Sequence, residues 1–156
     1  MNFLKKNRDK ILALLVLITI LQLTAACEDD PIIPQEEHFK AIGMVFYTSG
    51  IETARIEKGI TDDTLFVKAG KLSEHYNIKF ISEDGKIVPP PTDGKKLAWE
   101  FDDTSVASVW QHEGEEGSFE FHLKGLKEGE TNIEFFIMHH DHHDYRSGKI
   151  PVKVIK

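Results

Sequence analysis

Short runs of alternating or β-rich residues recur along this chain, at 39–48, 52–57, 64–68, 76–82, 96–101, 105–111, 118–124, 131–139 and 149–155, and no stretch of helical period competes with them. Alternation sends successive side chains to opposite faces of a strand. In 118–124 it gathers Phe119, Phe121 and Leu123 on one face and leaves His122 on the other; in 131–139 it groups Ile133, Phe135 and Ile137 with His139. The breaks between runs carry turn chemistry, among them Ser49-Gly50, Glu83-Asp84-Gly85, the proline-rich 89–94 and Glu128-Gly129. The pattern predicts an all-β fold, an antiparallel β-sandwich of about seven to nine strands. A single cysteine allows no intramolecular disulfide, so an apolar core must hold the fold, and ten phenylalanines and two tryptophans can build it.

Ahead of the strand region, Lys5, Lys6, Arg8 and Lys10 precede an apolar run at 11–23, the pattern of a secretory signal. Leu23-Thr24-Ala25-Ala26-Cys27 resembles the lipobox of bacterial lipoproteins, although that family most often has leucine where Thr24 stands. The resemblance implies cleavage before Cys27 and acylation of its thiol, hence an outer-membrane lipoprotein anchored by lipid. Glu28-Asp29-Asp30 is similar to the acidic surface-export signal of lipoproteins in the Bacteroidota; a periplasmic face is the alternative. The expected organisation is a signal peptide at 1–26, a lipidated acidic and proline-containing tether at 27–37, and one domain at 38–156.

The first 26 residues hold four basic residues and one acidic, which leaves 15 Lys and Arg against 25 Asp and Glu, a net charge of −10. Such a domain repels phosphate backbones, so nucleic acid is not an expected partner, and it attracts cations. Acylation would also take the one thiolate out of the ligand inventory, which excludes a type 1 copper site.

Trp99, the strand Asp103-Thr104-Ser105-Val106-Ala107-Ser108-Val109, the turn Gly125-Leu126-Lys127-Glu128-Gly129 leading into Thr131-Asn132-Ile133, and Val152-Lys153-Val154 together resemble the bacterial Ig-like domain type 2 over about residues 63–155. The resemblance implies an Ig-like sandwich with Trp99, Val106, Val109, Leu126 and Ile133 in the core. Trp110, next to inward Val109, is expected to point outward. The family pattern does not account for the 111–117 connection, the 89–94 insertion or the histidine run.

Four of the eight histidines lie in Met138-His139-His140-Asp141-His142-His143-Asp144. Imidazole suits zinc, copper and nickel, and a His-x-His strand with a third ligand from a neighbour is one way to build an open zinc site. In an extended loop His140, His142 and Asp144 form one convergent set, and His139, Asp141 and His143 the other. Following the strands up and down, His112 and His122 are expected near this loop as further ligands, and His75 toward the opposite end. The sequence therefore predicts a His-rich loop that captures, senses or delivers a transition metal, zinc before copper or nickel, with an envelope protein or metal-uptake system as partner. The alternative is a structural or adhesive surface module contacting a protein or glycan, its histidines solvated or pH-responsive.

No catalytic constellation is visible, and no enzyme is expected. His140-x-His142-x-Asp144 is similar to the metallo-β-lactamase signature, but Tyr145 stands where that signature has a further histidine, and the helices of that fold are not foreseen.

Overall fold

The computed structural model describes residues 39–92 and 94–156; the basic and apolar start, Cys27, the tether and His38 lie outside the described residues. Ten strands follow in order: β1 Gly43–Thr48, β2 Ile51–Glu57, β3 Leu65–Lys68, β4 Tyr76–Ile81, β5 Ile87–Val88, β6 Lys96–Phe101, β7 Ala107–Trp110, β8 Glu120–Gly125, β9 Gly129–His139 and β10 His142–Ile155. They form two sheets, one in the order β2-β1-β4-β8-β7 with β5 also on β4, the other β3-β10-β9-β6. The all-β sandwich is thus the observed class, with the two-residue β5 taking the count past the expected nine.

Two pairings depart from a plain antiparallel meander. β3 runs parallel to β10, from Leu65↔Val152 to Lys68↔Ile155, which makes the second sheet mixed. Because the chain enters β3 from the other sheet, no hairpin constrains its direction, and the free edge of β10 accepts it. The second departure is a stagger. β4 gives only its first two residues to β8, Tyr76↔Phe121 and Asn77↔Glu120, while its last two, Phe80 and Ile81, pair with β5.

The inner faces meet over an aromatic and aliphatic core. Phe46, Phe121 and Phe80 from the first sheet and Phe135, Ile133 and Ile150 from the second are all 0–1% exposed. Alternation along β8 and β9 places Phe121, Leu123, Ile133, Phe135 and Ile137 inside. Val106 and Ile133 are buried, and Trp99 and Val109 pack against the core partly covered. Leu126 is the exception at 44% exposure. Gly125 takes the inward position of β8, where a Cβ would collide with the Lys68 carbonyl of β3, so the next residue faces out.

β10 begins seven residues before the run read from sequence, at His142 rather than Lys149. Its register against β9 shifts between His143 and Tyr145 and again between Arg146 and Lys149. Each bulge inserts residues that break the alternation. Ser147 holds the second one: its buried hydroxyl accepts from the Phe135 N–H at 2.9 Å and donates to the Gly148 carbonyl at 2.6 Å.

The two outer faces differ in chemistry. On the second sheet Arg146 pairs with the partly covered Glu134, and exposed Lys149 and Lys153 pair with Asp102 and Glu130, at 2.6–2.7 Å. Such pairs contribute about 0–1 kcal/mol each and make a solvated charge ladder. The first sheet instead carries Trp110 and a group of histidines.

Candidate metal centre

His139 ends β9, His142 begins β10, and the two are cross-strand partners. The link is a two-residue turn, His140-Asp141, with His140 at φ 52°. Histidine is among the residues that tolerate this left-handed region better than most. Partners across a ladder point to the same face, so the turn replaces the extended-loop parity that grouped His140 with His142. Asp144 is the extra residue of the bulge that follows, and there its carboxylate reaches both imidazoles. The convergent set is therefore His139, His142 and Asp144, whose donor atoms all lie within 4.8 Å of one another.

The Asp144 carboxylate is the centre of this set, with no side-chain exposure. Its Oδ1 is 3.2 Å from His142 Nε2 and its Oδ2 is 3.7 Å from His139 Nδ1. The Phe39 N–H donates to Oδ2 at 3.2 Å, and the Lys95 ammonium, 9% exposed, stands 3.6 Å away. Sequence reasoning missed Lys95, which precedes β6; Lys96↔Met138 pairing brings that strand's start beside the hairpin. His139 is close to fully buried and His142 is 39% exposed by side chain, so the set opens to solvent on the His142 side.

The other residues of the run have different surroundings. The His140 ring lies on that of His139 at 4.5 Å between centroids, and His143 stacks on Phe136 at 4.5 Å. Asp141 is fully exposed and 3.6 Å from His142 Nδ1. Tyr145 packs edge-on against Phe80, and burial pushes its phenol well above the ordinary range, so it is a neutral hydroxyl rather than an anionic donor.

His112 and His122 do not join the hairpin set. The 111–117 connection does reach the same end of the sandwich, since the Leu97 N–H donates to the Gly117 carbonyl at 2.8 Å. Its histidine, however, folds back over the first sheet. The Gln111 side chain clips the connection shut, donating to the carbonyls of Ser118 and Glu120 and accepting from the Gly117 N–H. His112 then sits against Trp110 and His122, with ring centroids 4.6 and 5.4 Å away.

His75 lies here too, 4.8 Å from the His122 ring and 5.9 Å from that of His112, rather than at the far end. The stagger of β4 explains the difference, because continuing the Tyr76↔Phe121 register by one step sets His75 across from His122. Ser73 fixes the approach: its N–H donates to the Leu123 carbonyl, and its hydroxyl accepts from the Leu123 N–H. The donor atoms of His75, His112 and His122 also fall within 4.8 Å of one another.

No protein-family model matches the sequence, and no curated protein does. Among solved structures, the crystal structure of domains 4 and 5 of the S-layer protein SbsC is similar at 20% identity, covering 65% of this chain with a TM-score of 0.41. The match covers 53% of that structure, so the chain spans about half its length.

Proposed function

We propose that this chain is a lipid-anchored cell-envelope module that binds a transition metal, zinc before copper or nickel, at the His139–His142 hairpin, and that it captures or delivers the metal rather than catalysing a reaction. The carrying observation is the spacing around Asp144. Zinc bonded at about 2.0–2.2 Å in tetrahedral geometry separates its donors by roughly 3.3 Å. One carboxylate oxygen of Asp144 lies 3.2 Å from His142 Nε2 and the other 3.7 Å from His139 Nδ1, each close to that value. Two imidazoles and one carboxylate are a common zinc donor set, and they leave a fourth position for water or for a ligand from a partner. The net charge of −10 beyond the first 26 residues favours approach of a cation. Cys27 supplies the anchor in this reading, with the outer leaflet or the periplasmic face as its address and a metal-uptake protein as its partner.

The test is calorimetric titration of zinc into the untagged full chain in detergent. A dissociation constant below about 10 μM, or −7 kcal/mol, is expected. Replacing His139 and His142 together by alanine should remove one zinc equivalent from the isotherm; unchanged stoichiometry and affinity in that variant would end the proposal.

Lys95 competes with the metal for the same carboxylate. Lys95→Met keeps most of the stem and removes the positive charge, so zinc affinity at pH 7.5 should rise about tenfold, or 1.4 kcal/mol. Equal or weaker binding would mean that the ammonium does not oppose the ion.

A further inference from the structure

We propose that His75, His112 and His122 form a second transition-metal site, separate from the hairpin, on the outer face of the first sheet, and that it takes a divalent ion of the zinc or copper(II) kind. Three segments converge to build it. β8 supplies His122, the segment clamped to β8 by Ser73 supplies His75, and the connection leaving β7 supplies His112.

The tautomer of His122 follows from its partner. Its Nδ1 lies 2.9 Å from the Ser73 carbonyl, which can only accept, so the neutral ring carries its proton on Nδ1 and its lone pair on Nε2. An imidazole oriented by a backbone carbonyl through one nitrogen and bare at the other is the arrangement that metal-ligating histidines adopt. His75 adds an independent sign. Its Nε2 is buried without a hydrogen-bond partner, and the nearest carboxylate oxygen, Glu120 Oε2, is 3.6 Å away, beyond hydrogen-bond reach. Buried polar atoms are seldom left so. A metal ion between the three rings would satisfy this nitrogen, and Glu120 stands ready as a fourth, charge-balancing donor.

Closing three imidazoles on one ion asks for small adjustments of the rings. Their donor atoms fall within 4.8 Å of one another, against roughly 3.3 Å around tetrahedral zinc. His112 can supply the movement, since it is exposed and sits on a connection rather than in a strand. Simple packing of imidazoles over an indole accounts for the ring contacts, but it leaves the orphaned His75 nitrogen unexplained.

Trp110 makes the proposal testable without reference to the hairpin. Its ring is 4.6 Å from that of His112 and 5.4 Å from that of His122, so bound copper(II) should quench it. The experiment uses the untagged full chain in detergent with His139 and His142 already replaced by alanine, copper(II) chloride as the quencher and zinc chloride as a silent competitor. Expected are a saturable loss of emission, its reversal by zinc, and an apparent affinity at least about tenfold weaker in His112→Ala and in His75→Ala. Trp110→Phe should abolish the quench yet keep the copper heat in calorimetry. Absence of saturable quenching, or a midpoint unmoved by both histidine substitutions, would overturn the site. His112→Ala is also compared in the otherwise unaltered chain, so a poorly folding background does not remove the test. Because the hairpin ligands are absent from the main series, failure of the hairpin proposal leaves this outcome unaffected.

Discussion

Phe46→Ala should lower the stability of the domain by about 3–5 kcal/mol, a large part of the roughly 5–15 kcal/mol that domains of this kind possess. Phe46 is fully buried on β1 and joins the two sheets. Its ring meets Tyr76 and Phe121 of its own sheet edge-on, both at 6.4 Å, and Phe135 of the facing sheet at 5.4 Å. Truncation removes the transfer energy of the ring and leaves a cavity lined by three other aromatic rings, none of which can collapse into it without losing its own contacts. The measurement is urea unfolding with a chelator present, so that metal linkage does not enter. The midpoint should fall sharply with little change in slope. Phe66→Ala is the control: Phe66 is 52% exposed, and the change should stay within about 0.5 kcal/mol. A Phe46→Ala midpoint close to that of the control would mean that the sheets do not meet through this cluster.

The strands and their inward faces were legible in the sequence because alternation is a local property. Phe121 and Leu123 on β8, and Ile133, Phe135 and Ile137 on β9, are inside as the pattern of two requires. Adjacency of strands distant in sequence is not local, and there the sequence was silent. Nothing in residues 64–68 announces that β3 will lie parallel to β10, and nothing in residues 76–82 shows that only Tyr76 and Asn77 will pair with β8. The stagger decides the second histidine group. His75 can be placed outward from the inward parity of Tyr76, but its neighbour could not be named. The hairpin failed to read for a different reason. Two bulges in β10 interrupt the alternation over Asp144 and Ser147-Gly148, so 142–148 looked like loop, and an extended loop gave the wrong parity for His139 and His140. A two-residue turn between polar residues was the available cue, with Asp141 a residue that favours such turns.

Asp144→Ala should cost about as much as the loss of Phe46, roughly 3–5 kcal/mol, although it removes only a carboxylate. Asp144 is fully buried by side chain and faces Lys95, itself 9% exposed. Deleting the anion leaves the ammonium in a poorly solvated place without its counter-charge, and it takes from the Phe39 N–H the acceptor that ties the segment before β1 to β10. Removal of both charges should be far less harmful. Lys95→Met combined with Asp144→Ala ought to recover most of the lost stability, because an apolar replacement of a buried ion pair is often neutral. A double-mutant cycle by urea unfolding in chelator measures the coupling, expected at or above about 1.5 kcal/mol for neighbouring charges in contact. The cycle also separates two roles of one residue. If Asp144 is a zinc ligand, the double variant regains stability without regaining the zinc equivalent that the hairpin binds. If the carboxylate serves only to neutralise Lys95, the double variant binds zinc as the unaltered chain does, and the hairpin set is reduced to its two imidazoles.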